Sequence, residues 1–111
     1  MTTRWPRRGE VWLAAMPDES KRRPCVVLSA DWLNRYALDV MVVPVTSVAR
    51  GNFPTRVELP AGEGGLRVAS WAKCDQVTTV SKKRLTGEPF GHLSQAKMQE
   101  IADAVRLALD L

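Results

Sequence analysis

The chain has 111 residues, with 16 Lys+Arg against 12 Asp+Glu, one His, two Cys and 45% apolar residues. This length predicts one domain over residues 1–111, because two separate cores would each sit near the size at which a chain struggles to bury enough surface. The apolar and charged fractions, 45% and 25%, exclude wholesale disorder. The longest apolar run, Val40 to Val45, is strand-sized and far short of the ~18–20 residues of a membrane span.

Gly9 to Ala15 reads as a first strand, followed by turn chemistry in Pro17, Asp18, Glu19 and Ser20. Pro24 is expected to open a second strand, Cys25 to Ser29, whose apolar run predicts burial on both faces. Asp31 to Tyr36 fits a turn or one short helical turn. Asp39 to Thr46 is a third strand, and Pro44 within it predicts an edge or a bulge. Thr55 to Leu59 alternates as a half-exposed strand does, and Gly62, Gly64 and Gly65 predict a hairpin-like connection after it. Leu66 to Val80 holds one bent strand or two, and Leu85 to Leu93, with two Gly and a Pro, is at best a short terminal strand. From Ser94 the period changes: Met98, Ile101, Ala102, Val105, Ala108 and Leu109 recur at helical spacing, with Ser94 as N-cap and Leu93 stapled onto Met98. Many short strands and one amphipathic helix predict a mainly β fold, a small barrel or bent antiparallel sheet with the helix packed on it.

Positive charge is concentrated early. Residues 1–24 carry six Lys/Arg (Arg4, Arg7, Arg8, Lys21, Arg22, Arg23) against Glu10, Asp18 and Glu19. A localised basic patch suits a polyanion, of which nucleic acid is the commonest. The basic N-terminus is followed by no apolar h-region or small-residue cleavage site, so no signal peptide is expected. Cys25 and Cys74 each lie in apolar surroundings without CxxC spacing, which predicts reduced, buried thiols in a cytoplasmic protein. One His and two Cys give no metal set, so no metal and no cofactor is expected.

Most catalytic templates fail. There is no GxSxG, and Gly62-Glu63-Gly64-Gly65 lacks the Lys-Ser/Thr and the helix of a phosphate loop. His92, between Gly91 and Leu93, reads as a surface or capping residue. Three polar intrusions at the ends of apolar strands remain. Arg22-Arg23-Pro24 enters the second strand with planar forks suited to a phosphate. Thr46-Ser47 puts two hydroxyls at the end of the third, and Lys73 and Asp75 are expected on one strand face, two residues apart. Each has a bland alternative: a solvated loop charge, a turn, and an exposed ion pair worth little.

Taken in order, Arg8-Gly9-Glu10-Val11-Trp12-Leu13, Arg23-Pro24-Cys25-Val26-Val27-Leu28-Ser29, Val43-Pro44-Val45-Thr46-Ser47, Lys73-Cys74-Asp75-Gln76, Lys83-Arg84-Leu85 and Gly91-His92-Leu93 resemble the MazF/PemK family of toxin endoribonucleases, from about Arg8 to Leu109. The resemblance implies an SH3-like twisted barrel with a C-terminal helix, of the CcdB/PemK-like kind. It also implies metal-independent cleavage of single-stranded RNA, leaving a 2′,3′-cyclic phosphate and a 5′-hydroxyl, by a homodimer that a cognate antitoxin neutralises. By similarity Arg23 would bind the scissile phosphate and stabilise the departing oxygen, Thr46 would hydrogen-bond that phosphate, and Asp75 would be the general base used by one branch of the family. Arg22, Ser47, Lys73 and Gln76 would contact RNA. Two features depart from the family pattern: Lys73 stands where that branch has Arg, and the Met16–Arg23 loop is short and lacks a Gly/Glu/Gln-rich stretch. Two other readings share the fold, a CcdB-like gyrase poison and a non-catalytic RNA-binding barrel. The first expects an aromatic, glycine-bearing C-terminus, where this chain ends Ala108-Leu109-Asp110-Leu111. Four tryptophans (Trp5, Trp12, Trp32, Trp71) in so small a chain add to the expectation of a homodimer, because some would be buried at an interface.

Overall fold

A computed structural model describes residues 4–17, 20–49, 51 and 53–111. The expected turn residues Asp18 and Glu19, and the first three residues of the basic N-terminus, lie outside them. In chain order the elements are β1 (Glu10–Ala15), β2 (Arg22–Val27), α1 (Asp31–Tyr36), β3 (Asp39–Thr46), β4 (Arg56–Leu59), β5 (Ser70–Lys73), β6 (Thr78–Ser81), β7 (Leu85–His92) and α2 (Gln95–Leu109). The described residues form one seven-stranded sheet in the order β4-β5-β3-β2-β1-β7, with β6 also paired to β3. All its pairings are antiparallel.

Alternation along β1 to β3 feeds two cores at once. Val11, Val26, Val43 and Val45 join Val57, Leu59, Ala72 and the inner side of α2 in one cluster. Trp12, Ala14, Cys25, Val27, Val40 and Val42 join Val80 in the other. Both faces of these strands are therefore covered, which is why their sequences read as near-continuous apolar runs. The helix seals the first cluster with Met98, Ile101, Ala104 and Val105, each buried. Fully burying a side chain of this size contributes about 1.5–3 kcal/mol. Ser94 caps the helix as expected, its Oγ accepting from the Lys97 N–H at 3.2 Å, and Leu93 and Met98 share the same core. Ala104 takes the place expected for Ala108 and Leu109, because the last turn carries no buried side chain.

Three expectations need correction, and the choice left open over residues 66–80 is decided. Strand β2 begins at Arg22, not Pro24, because its first residues pair with Ala14 and Ala15 of β1. Residues 66–80 divide into two strands, β5 and β6, which pair with different halves of β3. Pro44 is not on an outer edge strand: it pairs with Cys25 of β2 on one side, and only on the other side is it locally without a strand partner. The strand tolerates it because β6 pairs only with Asp39–Val42 and β5 only with Val45–Thr46, so Pro44 falls at the changeover. Finally, β7 is eight residues long rather than a short terminal strand. Between the pairs Leu13↔Thr86 and Val11↔Gly91, β1 advances two residues and β7 five. The three additional residues form a bulge, which is how a strand containing two Gly and a Pro stays in the sheet.

Of the four tryptophans only Trp12 is fully buried, whereas Trp32 is 70% exposed. Cys25 and Cys74 are free, buried thiols, as expected. No helix among the described residues is long and apolar enough to cross a membrane.

Candidate functional site

The polar residues singled out above fall on two sides of one sheet end. On β2, Arg23 shares its face with Cys25 and Val27, and on β3, Thr46 shares its face with Val40 and Val42; all four apolar partners belong to the second core cluster. Two residues beyond the pair Cys25↔Pro44, Arg23 and Thr46 occupy corresponding positions on adjacent strands. The row continues across the sheet, because Trp71 lies opposite Thr46 and Glu58 opposite Trp71. Thr46 is half-buried at the end of its strand, and its Oγ1 accepts from the Val48 N–H at 3.1 Å. That bond leaves the hydroxyl proton available to a phosphate oxygen.

The neighbouring positions Arg22, Pro24 and Ser47 alternate to the other side, where they line a cleft of about 730 Å³. Arg23 lines it too, and so belongs to both sides. The cleft wall is completed by Lys21, Val45, the segment Gly65-Leu66-Arg67-Val68, Ser70 and Phe90. Four of these lining side chains are cationic (Lys21, Arg22, Arg23, Arg67) and none is acidic. Such a wall raises the local concentration of polyanions.

Lys73, Asp75 and Gln76 lie outside this cleft. Lys73 ends β5 directly opposite Arg56 on β4. Asp75 does not share a strand face with it, because the chain turns at once: the Gln76 N–H donates to the Lys73 carbonyl at 3.0 Å, leaving Asp75 exposed in the turn. The opposed cations Arg56 and Lys73 would repel one another without an anion nearby. Asp75 carries such a charge. Burial pushes the Cys74 thiol up to about 12, with Asp75 adding to the shift and Arg56 opposing it, so both charges act on one sulfur. Arg56 Nε and Thr55 Oγ1 are buried without hydrogen-bond partners. His92 is a surface residue, its ring nitrogens lying 2.6 Å from the Leu93 carbonyl oxygen and 3.2 Å from that of Arg8.

Arg56, Arg67 and Phe90 were not legible as site residues. Phe90 had a signal, the run Gly87-Glu88-Pro89-Phe90-Gly91, since Gly and Pro inside a strand mark a bulge that re-aims side chains. Among the described residues, no three His, Cys, Asp or Glu side chains converge as metal ligands would.

The chain is 34% identical to the endoribonuclease MazF9 of Mycobacterium tuberculosis (strain ATCC 25618 / H37Rv), over 95% of this chain and 97% of that protein. Among solved structures it is similar to an endoribonuclease in complex with its cognate antitoxin from a mycobacterial species, with a TM-score of 0.83, 28% identity and 96% of both chains covered. It is also similar to a MazE-MazF structure from Deinococcus radiodurans, with a TM-score of 0.79, 26% identity, and 97% and 98% of the two chains covered. The family of PemK-like, MazF-like toxins matches residues 7–109. With a shared fold, a relative above 30% identity and a family match over nearly its whole length, the chain belongs to the PemK-like, MazF-like toxins of type II toxin–antitoxin systems.

Proposed function

We propose that the chain is an endoribonuclease that cuts single-stranded RNA without a metal ion. The observation that carries this reading is the placement of Arg23 and Thr46 at corresponding positions on adjacent strands, with Arg23 and the neighbour of Thr46, Ser47, lining a cleft that has four cations and no acid in its wall. RNA brings its own nucleophile, so the protein need supply only proton transfer and charge stabilisation. In this reading the 2′-hydroxyl gives its proton to Asp75 and attacks the adjoining phosphorus. The bond from phosphorus to the 5′-oxygen breaks, leaving a 2′,3′-cyclic phosphate and a 5′-oxygen that takes a proton from water, while Asp75 returns its proton to solvent. Arg23 and the Thr46 hydroxyl hold the negative charge that builds on the phosphorane oxygens. Arg23 acts by charge and fork geometry rather than as an acid, because a guanidinium stays protonated at neutral pH. Arg22, Ser47, Lys73 and Gln76 hold the flanking backbone.

The same reading places the protein in the cytoplasm, as a single-domain homodimer inhibited by a cognate antitoxin. The dimer is supported by an apolar surface: Trp32 and Tyr36, one turn apart on α1, are 70% and 75% exposed, and Leu38 beside them is 85% exposed. An antitoxin is supported by the antitoxin complexes of similar proteins.

The test is cleavage of a single-stranded RNA in EDTA beside DNA of the same sequence. Cut RNA with 5′-hydroxyl ends and intact DNA is the expected result. 5′-Phosphate ends or strict Mg²⁺ dependence would refute the mechanism. Light scattering at micromolar concentration tests the dimer, and a monomer there would remove it.

A further inference from the structure

The cleft beside Arg23 has an aromatic ring in its wall that phosphate binding does not require. Phe90 is 45% exposed and lines the same cleft as Arg67, Val68 and the cations of β2. Two features hold it there. The β7 bulge puts three more residues between Thr86 and Gly91 than the β1 side needs, and Phe90 is the last residue of that excursion. The 3-10 turn at Glu63–Gly65 is then packed against the bulge with no room for a side chain. A Cβ on Gly65 would stand 2.2 Å from the Phe90 carbonyl oxygen, and one on Gly91 would stand 2.8 Å from the Gly64 backbone. The backbone beneath the ring is therefore fixed by contact on both sides, and the segment that presses on it leads directly into Arg67. An exposed aromatic on a rigid backbone, lining one cleft of about 730 Å³ together with four cations, is the arrangement that binds an unstacked base and its phosphate together.

We infer that Phe90 and Arg67 form a nucleotide subsite adjoining the scissile position: the Phe90 ring stacks on one base of the RNA, and Arg67 contacts the phosphate attached to that nucleoside. The inference rests on the RNA-cleaving reading and deepens it by assigning residues that bind the substrate away from the reacting atoms. A base held there sets the position of the scissile phosphate against Arg23, so the subsite contributes to which positions are cut as well as to affinity.

The experiment uses the full chain and two probes: a labelled single-stranded RNA of mixed sequence, and the same strand with a 2′-deoxynucleotide at the mapped cut site, which binds without being cut. The variants are Phe90→Ala, Phe90→Tyr and Arg67→Ala. Loss of the ring is expected to weaken binding of the uncleavable strand by roughly 5- to 100-fold, the range for one lost base stack. It should raise KM more than it lowers kcat, and should redistribute the cut positions. Phe90→Tyr restores affinity and cut pattern. Arg67→Ala weakens binding and flattens its salt dependence. If Phe90→Ala does not fold, Arg67→Ala decides the matter, since it changes an exposed group. Wild-type affinity and cut positions in Phe90→Ala, or in Arg67→Ala if that variant alone is available, would overturn the subsite. A wild-type chain that binds the strand but cuts none, with Phe90→Ala binding more weakly, keeps the subsite and refutes the cleavage reading. A wild-type chain that neither binds nor cuts refutes both.

Discussion

The carbonyl oxygen of Phe90 occupies the place where a side chain at Gly65 would begin, 2.2 Å from the ideal Cβ position. Gly65 also has φ +81°, a left-handed conformation that costs other residues about 1–2 kcal/mol. Gly62, in the same connection, has φ +96° but nothing within 4 Å of its Cβ position, so it separates strain from crowding. Gly62→Ala is expected to lose about 1–2 kcal/mol in urea denaturation from backbone strain alone. Gly65→Ala should lose at least about 3 kcal/mol, because overpacking adds its own penalty. Equal losses would show that the close approach of the turn to β7 contributes nothing.

Arg23→Ala and Thr46→Ala should each reduce RNA cleavage by roughly 100- to 1000-fold, the usual effect of losing a donor to a developing negative charge. Thermal unfolding should stay near wild type, since both side chains are only half-buried. Arg23→Lys keeps the charge and loses the fork, so it should recover only part of the rate. Asp75→Asn should lower kcat by roughly 100-fold or more with little change in KM, as expected for a general base. Wild-type rates in the Asn variant would remove that role from Asp75 and leave those of Arg23 and Thr46 intact.

Glu10 is a carboxylate only 4% exposed, and it gathers the N-terminal segment onto the sheet. It accepts from the Arg7 N–H at 2.8 Å and the Trp12 indole N–H at 3.1 Å, and pairs with the Arg4 guanidinium. Glu10→Ala strands a buried indole donor and a backbone donor, so a loss of about 2–3 kcal/mol is expected. Glu10→Gln, which keeps an acceptor oxygen, should lose less. Chemical denaturation of the three proteins checks the order, and an Ala variant as stable as wild type would contradict it.

Burial pushes both thiols, Cys25 and Cys74, up to about 12. An unfolded thiol titrates near 8.5. A folded-state value above the unfolded one means that the unfolded chain releases its thiol protons first. The stabilisation is therefore complete below about pH 8.5 and is lost as pH rises towards about 12. Unfolding midpoints should fall across that window, with a shallower fall in Cys25→Ala/Cys74→Ala. Neither thiol should react with a thiol reagent at pH 8 until denaturant is added. Rapid labelling of the native chain would show that one of the two is accessible.

Legibility followed the range of the interactions concerned. Helix α2 could be read because its N-cap and its buried stripe, Met98, Ile101 and Val105, lie within a few residues of one another. The strands β1 and β3 could be read because Val and Trp on both faces leave little room for another period. What failed was decided by partners distant in sequence. The start of β2 at Arg22 depends on Ala15, and the length of β7 depends on a bulge that only its pairing with β1 defines. In the candidate site, Arg23 and Thr46 stood out because polar groups interrupt apolar strands there. Arg67 and Phe90 did not, because they meet Arg23 only when the connection after β4 folds against β7.

Pro44 bears on the alignment of the site as well as on the strand that holds it. On one edge β3 carries β6 over Asp39–Val42 and β5 over Val45–Thr46, with a residue that cannot donate at the boundary. Slippage of either partner towards the middle of β3 would require an N–H that proline lacks. The proline thus acts as a stop between two neighbouring strands and keeps their pairing in phase. Because Thr46 is two residues further on, the same stop fixes which side chain of β5 stands beside it, Trp71 rather than Ala69.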